Sequence, residues 1–441
     1  MPLLGNLLQY RKNKIGFLSA LRDDGHQLTR FRLGKHSITL LKKPEDLVHV
    51  EHRNAKNYQK ATMLRDLVGD GILMSEGEKW RKQRRLIQPR FHPSSVTALE
   101  SLMNQRITGF LHRMESEVAG SEGRLEIGLH LKKLSFEIIL QALFGEVDQG
   151  DFDELRKPME FVNSFLTARF NELVPLPLWV PLPRYLRFQR AREAIDQVIH
   201  RYIDRKRKAI LDQNPGTDLL TQMILSRDPD SGVAMDDLQI RDETVSILLA
   251  GFETTGNLLS WILVNLSREP AALMRVREEI DSSIGRRIPD ANDVLGLAYF
   301  AKVVDETLRL QPSVWAWTKR AVGDDVLGNV KISKGQILFL SPYLVHRDPG
   351  IWDEPSRFNP DRWTEETKEK TKGAYFPFGM GPRTCVGKHF AVLEAKLILV
   401  RFLQHFEFRI GEEQLPEPDF QITLGFKRPL RAAVRARRSA S

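Results

Sequence analysis

The sequence predicts a mainly α-helical fold with a smaller β portion, an α+β class. Apolar residues recur at helical spacing over most of the 441 residues, whereas strand-like alternation is confined to about 28–42, 314–341 and the C-terminus. Hydrophobic residues make up 41% of the chain, which is enough for a large core. The turn-rich segments 214–218 and 228–232 are short, and apolar periodicity resumes after each. We therefore expect residues 1–441 to form one domain, although length alone would suggest two or three.

Composition restricts the class of partner. No run of 18 or more apolar residues occurs, so we expect no transmembrane span in this chain. The net charge of +9, from 66 basic and 57 acidic residues, is that of a solvated and slightly basic surface, and it gives nucleic-acid binding little weight. The stretch 79–90 is more densely basic, and on a helix only some of its side chains can point inward. The chain is expected to be soluble or at most peripheral.

Residues 245–266 would form a helix that is apolar on nearly every side, which predicts that the helix is buried. Its middle is anomalous, because Gly251 costs about 0.5–1 kcal/mol relative to alanine and mid-helix threonines bond back to the preceding turn. One interpretation is a structural kink. The other is functional, since Gly251 and Thr254 lie on one face and leave room beside a hydroxyl.

Cys385 is the only cysteine, so it cannot form an intrachain disulfide. Glycines 379, 381 and 387 remove side chains from the backbone around it, as the close approach of a flat or bulky group requires. A predicted helix over residues 386–406 points its N-terminal amides back at the sulfur, which favours the thiolate.

An unpaired cysteine beside glycines has three other interpretations. An unpaired cysteine is often a buried small hydrophobe. A dinucleotide glycine loop is excluded because Thr384 stands where the third glycine should be. A zinc site with His389 lacks a CxxC or HxxxH pair for the remaining ligands. A single thiolate fits an axial ligand of a prosthetic group better.

The sequence contains five short motifs, which are, in chain order, Trp80-x-x-x-Arg84, Ala250-Gly-Phe-Glu-Thr-Thr255, Glu306-x-x-Arg309, Pro355-x-x-Phe358-x-Pro360-x-Arg362-Trp363 and Phe378-x-x-Gly381-x-Arg383-x-Cys385-x-Gly387. These motifs and their order resemble those of the cytochrome P450 family of haem-thiolate monooxygenases. The cysteine loop matches the family pattern at every fixed position, and Trp363 replaces the commoner phenylalanine in the fourth motif. The resemblance covers essentially the whole chain and implies the family fold, with haem between a long distal helix and the cysteine-loop helix.

The resemblance also implies the cofactor contacts. The cofactor is haem b, with Cys385 as the axial ligand of the iron and with Phe378 and Gly379 in the haem-binding loop. Thiolate ligation favours cleavage of a bound O–O bond. Trp80, Arg84 and Arg383 are the expected partners of the haem propionates, since arginine and indole N–H groups suit carboxylates. Arg320 is a further candidate, on a strand face shared with Val314, Ala316 and Thr318, and Lys319 should point the other way.

On the distal side, the resemblance implies that Ala250 and Gly251 form an oxygen groove, that Thr254 holds the proton network and that Glu253 relays protons. Glu306, Arg309 and Arg362 are expected to be structural, as a buried charged network. Val314 and Ala316 are expected to face the substrate. The apolar run 175–183 lies where the family has a mobile lid, which suggests a lipophilic substrate or, equally, ordinary loop packing.

The expected partners are O2, a lipophilic small molecule and a separate electron donor (ferredoxin, flavodoxin or flavin reductase), because no flavin or iron–sulfur signature is intact. Arg81, Lys82, Arg85 and Lys388 are predicted to form its basic docking surface. Two alternatives are a peroxide-driven peroxygenase, which usually lacks the acid and alcohol pair, and a haem-binding sensor without turnover. We expect a cytoplasmic, bacterial-type enzyme, although residues 2–6 resemble the segment that follows the membrane anchor of anchored members.

Overall fold

The computed structural model describes residues 4–60, 65–120, 123–170, 172, 176–411, 413 and 415–437. Helices dominate, as the sequence predicts. They are α1 Leu7–Lys12, α2 Lys14–Arg22, α3 Pro44–Val48, α4 Arg65–Val68, α5 Gly77–Ile87, α6 Pro93–Thr97, α7 Glu100–Gly120, α8 Ile127–Phe144, α9 Gln149–Phe170, α10 Pro183–Leu211, α11 Leu219–Leu225, α12 Asp237–Arg268, α13 Pro270–Ser283, α14 Ala291–Gly296, α15 Ala298–Leu310, α16 Pro342–Val345, α17 Glu365–Lys370 and α18 Lys388–His405.

The strands form small sheets at one side of the helical body and near the C-terminus. They are β1 Leu28–Leu33, β2 His36–Leu41, β3 Tyr58–Lys60, β4 Arg124–Leu125, β5 Trp317–Ala321, β6 Asp325–Leu327, β7 Val330–Ile332, β8 Ile337–Leu340, β9 Phe406–Arg409, β10 Pro418–Phe420, β11 Leu424–Phe426 and β12 Ala432–Ala436. The largest sheet has the order β1-β2-β8-β5-β3, in which only β2 and β8 pair in parallel. Two strands, β3 and β4, lie outside the segments where alternation predicted them.

The long helix α12 forms the centre of the fold. It packs along α8 and also contacts α15 and α18. Asp236 caps its N-terminus by accepting a hydrogen bond from the backbone N–H of Gln239, so the helix begins well before the predicted residue 245. By length and composition α12 could cross a membrane, but 72% of its apolar window is buried inside the protein, as in a core helix.

The structure corrects the predicted start of the strand after Pro312. β5 begins at Trp317, so Val314 and Ala316 precede it and do not share its alternation. The reason is that the backbone there bonds to other segments. Leu424 N–H donates to the Ser313 carbonyl at 2.8 Å, and the Ser341 hydroxyl donates to the Trp315 carbonyl at 2.7 Å.

Candidate active site

The cysteine loop is closed on itself. Cys385 N–H donates to the Phe378 carbonyl at 2.9 Å, and Gly379 N–H donates to the Phe376 carbonyl at 3.0 Å. Gly381 has φ +67°, and a Cβ there would lie 2.0 Å from the backbone oxygen of Glu51, so only glycine fits. The loop is therefore fixed against the segment His49–Arg53 while it presents the thiol.

Cys385 has exposed surface although the loop packs against the core. Burial by the surrounding protein raises the pKa of the thiol, while the Gly387 N–H and the charge of Arg84 lower it. The expected preference for thiolate is thus opposed by desolvation in the protein alone. Because metal ligation requires the deprotonated sulfur, binding of a metal at Cys385 releases a proton.

Cations lie beside the thiol. Arg84 donates to the carbonyl of Thr384 at 2.8 Å, and Arg383 donates to the carbonyl of Ser75 at 2.9 Å. Arg383 also pairs with Glu76, and its guanidinium lies over the ring of Trp80, 4.1 Å from the centroid. The structure therefore brings Trp80, Arg84 and Arg383 together, as a group that binds carboxylates requires.

Two lysines that the sequence reasoning missed join this group. Lys60 on β3 lies directly opposite Lys319 on β5, so both side chains share one face of the sheet. Burial, and then the charges of Arg383 and Lys319, lower the pKa of Lys60 to about 8. Lys319 is buried and lies 3.3 Å from the carboxylate of Glu51. Like charges placed opposite each other are unfavourable unless an anion lies between them.

Arg320, by contrast, lies opposite Gln59 on the other face of the sheet and is exposed. The expected alternation of Arg320 and Lys319 is present. It is Lys319, not Arg320, that shares a face with Lys60 beside Arg383 and Cys385. The sequence alone could not predict that Lys60 and Lys319 lie together, because this depends on the pairing of the three-residue strand β3 with β5, which lies far along the chain.

The middle of α12 is more exposed than the turns that precede it. Residues 240–249 are buried, whereas Ala250 is exposed and Thr254 is partly exposed. Thr254 Oγ1 donates to the Ala250 carbonyl at 2.6 Å, which is the back-bond expected of a mid-helix threonine. A Cβ at Gly251 would lie 3.1 Å from Ile139, so the glycine also lets α8 approach closely.

Glu253 is partly exposed and lines a cleft between α8, α9 and α12. The same cleft is lined by the basic residues Lys132, Lys133 and Arg156. Among the residues that the structure describes, no hydrogen bond joins Glu253 to Thr254, so the acid and the alcohol face different surroundings.

The two expected substrate contacts differ in their surroundings. Val314 is 36% exposed and follows Ser313, whose hydroxyl donates to the Thr254 carbonyl at 2.9 Å. Ala316 is partly buried and packs against the core beneath β1, β2 and β8. Val314 thus directly follows a residue that bonds to Thr254, whereas Ala316 packs against the core beneath the sheet.

The structure brings Glu306, Arg309 and Arg362 together. Glu306 pairs with Arg309 at 2.9 Å and with Arg362 at 2.8 Å, and all three side chains are buried or nearly so. Trp363, at the position where the motif departs from the usual phenylalanine, donates its indole N–H to Glu306 at 3.1 Å. Two further buried carboxyls, Glu243 and Glu394, were missed by sequence reasoning, although each is an acid on an apolar helix.

The residues present fit an iron porphyrin. One accessible thiol can ligate the iron, and a porphyrin's carboxylates would find Arg84, Arg383, Lys60 and Lys319 beside it. The open space beside the backbone at Gly379, where a Cβ would meet no atom within 4 Å, suits the close approach of a flat ring. No cluster of three or more His, Cys, Asp or Glu side chains able to hold a metal ion occurs among the described residues. The fold and the site thus define a haem-thiolate protein.

Comparison with known proteins gives the family. A model of the cytochrome P450 family matches residues 1–432, and the chain belongs to that family. Membership confirms the resemblance and establishes a haem-binding monooxygenase that uses O2, a substrate and a redox partner.

Several curated relatives cover nearly the whole chain. The chain is 31% identical to cyclooctatin synthase of Streptomyces melanosporofaciens, over 98% of this chain and 93% of that protein. It is 28% identical to pentalenene oxygenase of Streptomyces avermitilis, over 99% and 96% of the two chains. It is 29% identical to the chloroplastic protein LUTEIN DEFICIENT 5 of Arabidopsis thaliana, over 87% of this chain and 67% of that protein.

A solved structure confirms the fold. The cytochrome P450DA haem domain superposes with a TM-score of 0.88, covering 98% of this chain and 95% of that chain, at 24% sequence identity. The α+β prediction is therefore confirmed for a cytochrome P450 fold.

Proposed function

We propose that this protein holds haem b through Cys385 and inserts one oxygen atom of O2 into a polycyclic terpenoid, by hydroxylation or epoxidation. The observation that supports the proposal is accessible surface at two places, at Cys385 in the cysteine loop and at Ala250 with Thr254 in the middle of α12. By the family resemblance, a bound haem would lie between them. Residues 1–441 would act as one domain, in the cytoplasm.

Each residue has a role in this proposal. When bound, the haem supplies O2 binding and O–O cleavage, which its thiolate ligand favours. Trp80, Arg84 and Arg383 orient the cofactor's carboxylates, together with Phe378 and Gly379 in the loop. The network of Glu306, Arg309 and Arg362 braces the segment that leads to the loop.

The distal residues manage protons. Thr254 Oγ1 donates to the Ala250 carbonyl, which leaves its lone pairs free to hold a proton toward the accessible space. Glu253 exchanges protons with the basic cleft and returns them to the site. Gly251 and Ala250 keep side-chain bulk away, and the surrounding apolar wall limits the entry of water.

The substrate class rests on relatives and on the apolar surroundings. Three relatives are named cyclooctatin synthase, cyclooctat-9-en-7-ol 5-monooxygenase and pentalenene oxygenase, which are terpenoid-modifying names. Val314 supplies an exposed apolar contact near Thr254. In the lid segment, Trp179 is 80% exposed and Leu176 is 42% exposed, while Pro175 lies outside the described residues. These side chains suit entry of a lipophilic molecule from that side.

The electron donor is proposed to be a separate ferredoxin, flavodoxin or flavin reductase that docks on basic residues. Of the four predicted docking residues, Arg85 is paired with Asp228 at 2.8 Å and with Asp230 at 3.0 Å, and Arg81 is paired with Glu78. Lys82 and Lys388 are exposed. We therefore assign most of the docking charge to Lys82 and Lys388.

The decisive experiment is the absorption spectrum of the reduced, carbon-monoxide-bound protein, compared with that of Cys385→Ser. A long-wavelength Soret band that is lost in the variant supports thiolate ligation, and identical spectra overturn it. Turnover of terpenoid hydrocarbons is then measured with reductant and donor protein. A monooxygenase forms product under these conditions, a peroxygenase needs only peroxide, and a sensor forms no product. Thr254→Ala should lower the product formed per reductant and release more hydrogen peroxide.

A further inference from the structure

The loop at residues 69–72 lies against the N-terminal half of α12. Asp70 N–H donates to the Asp242 carboxylate at 2.8 Å, and Ile72 N–H donates to Glu243 Oε2 at 2.7 Å. A Cβ at Gly69 would lie 2.3 Å from the Asp242 carboxylate, and one at Gly71 would lie 2.4 Å from Ser246 Oγ. Both glycines are therefore needed for this close approach, and the loop covers Glu243 completely.

Among the residues that the structure describes, two polar atoms under this loop have no hydrogen-bond partner. They are Oε1 of Glu243 and Oγ of Ser246, whose residues are 0% and 1% exposed. An unsatisfied buried polar atom costs about 1–3 kcal/mol, so such atoms in a native core call for an explanation. Because residues three apart are neighbours on a helix surface, a protonated Oε1 can donate to Oγ after a small rotation of either side chain.

These atoms also lie in line with the distal site. Glu243, Ser246, Ala250 and Thr254 are separated by three, four and four residues, which places all of them on one face of α12. Ser246 is thus one helical turn from Ala250, where the accessible surface begins. The line runs from the covered carboxyl to the hydroxyl of Thr254.

The charges around Glu243 favour its neutral form. Its pKa is raised to about 8, chiefly by burial and also by the charge of Asp242, while the Ile72 N–H and the Lys79 ammonium act to lower it. Solvent lies close on the outer side, because Asp70 is partly exposed and pairs with Lys79 at 3.0 Å and Arg65 at 3.2 Å. Glu243 therefore holds a proton at neutral pH and lies one loop away from bulk water.

We propose that Glu243 and Ser246 form a second proton supply for the distal site, which runs along α12 and is separate from the cleft of Glu253. The proton on Glu243 Oε1 passes to Ser246 Oγ, whose own proton moves to water beside Ala250 and onward to Thr254. Glu243 regains a proton from bulk water at the Asp70 side, so the protein is unchanged after each transfer and no electrons move. Glu243 is a positioning residue in this scheme, since it acts through Ser246.

The first test concerns the proton itself and is independent of turnover. Infrared spectroscopy in H2O and D2O should show the carbonyl band of a protonated carboxylic acid that Glu243→Gln removes and Ser246→Ala shifts. Gln can still accept from Ile72 N–H, so the loop should stay in place. Ser260→Ala is the matched control, because this buried hydroxyl on the same helix already donates to the Gly256 carbonyl at 2.7 Å. Glu394→Gln identifies the band of the other buried carboxyl. A spectrum unchanged in Glu243→Gln, or a band unmoved in Ser246→Ala, overturns the proposal.

The second test rests on the proposed function and asks whether the proton is used. In a Glu253→Gln background, adding Glu243→Gln should lower product formation further, toward the roughly 100-fold that a positioned proton donor contributes, and should raise the solvent isotope effect. No further loss in the double variant overturns the supply role. If the wild type forms no product from any terpenoid, the proposed function fails, and the infrared test decides the proton site by itself.

Discussion

The carboxylate of Glu306 accepts two hydrogen bonds of 2.9 Å from the guanidinium of Arg309, and neither side chain has exposed surface. Arg309 also donates to the carbonyls of His346 and Pro355, each at 2.7 Å. Glu306 in turn accepts from Arg362 at 2.8 Å. These bonds tie α15 to the segment that precedes the cysteine loop, so the pair supports the site from a distance.

We predict that Arg309→Ala destabilises the protein by about 3–5 kcal/mol, because it removes one of the two guanidinium partners of the buried Glu306 and leaves the charged network incomplete. Both the haem content and the free energy of unfolding should fall. Absorption spectra of the purified protein measure the haem content, and urea titration measures the free energy of unfolding. The matched control is Arg357→Ala, whose exposed pair with Glu354 is worth at most about 0.5 kcal/mol. Equal losses in both variants would show that burial does not set the strength of this network.

Local patterns predicted the central helix and the cysteine loop, whereas the network of Glu306, Arg309 and Arg362 was expected only from the family resemblance. The sequence was not sufficient for Lys60 and Lys319, since their approach depends on β3 pairing with β5 across more than half of the chain. The same limit applies in part to Gly381, because its φ of +67° belongs to its own loop but the close approach of the Glu51 carbonyl comes from a distant segment. Alternation places Arg320 and Lys319 on opposite faces of the strand, but it does not show which of them lies on the same face as Lys60.

His346 connects the same network to the cysteine loop. Its Nε2 accepts from Phe376 N–H at 3.0 Å, and its Nδ1 lies 3.1 Å from the Arg309 carbonyl, so the neutral ring carries its proton on Nδ1. Burial and the Arg309 charge lower the pKa of His346 well below its usual value. The unfolded chain therefore binds a proton below about pH 6.5 that the folded protein does not bind.

We accordingly predict that the free energy of unfolding falls as the pH drops below about 6.5, and that His346→Gln removes part of this slope. Urea titrations at several pH values measure it. The exposed His36, changed to Gln, serves as the control and should leave the slope intact. A slope that persists undiminished in His346→Gln contradicts this assignment.

Reduction by a protein donor should depend on the exposed basic residues Lys82 and Lys388. We predict that Lys82→Glu with Lys388→Glu slows reduction by the donor protein about tenfold or more at low salt, because steered association depends on complementary charge. Reduction by dithionite should not change. The effect should shrink as salt is added, since salt screens exposed charges.

A lysine on the β1–β2 turn provides the control for this experiment. Lys35→Glu changes the net charge by the same amount per substitution, and Lys35 is exposed. Stopped-flow absorption of the reduced protein under carbon monoxide gives the rates. If Lys35→Glu slows donor-dependent reduction as much as Lys82→Glu does, net charge and not a docking surface determines the rate.

Glu394 is a carboxyl buried between three helices, α18, α8 and α12. Burial raises its pKa to about 8, while the hydroxyls of Ser135 and Thr255 lower it. Between the unfolded pKa near 4.3 and the folded value, the folded protein holds a proton that the unfolded chain has lost, so the contribution of Glu394 to the free energy of unfolding falls as the pH rises, opposite in sign to that of His346. Glu394→Gln keeps the shape of the side chain without the charge, and it should match the wild type in stability near pH 5 and exceed it at pH 8 and above.

Urea titrations across this range test the prediction for Glu394, with the exposed Glu366→Gln as the control that leaves the decline unchanged. The same decline in Glu394→Gln as in the wild type would mean that Glu394 is ionised in the folded protein and that the hydroxyls outweigh its burial.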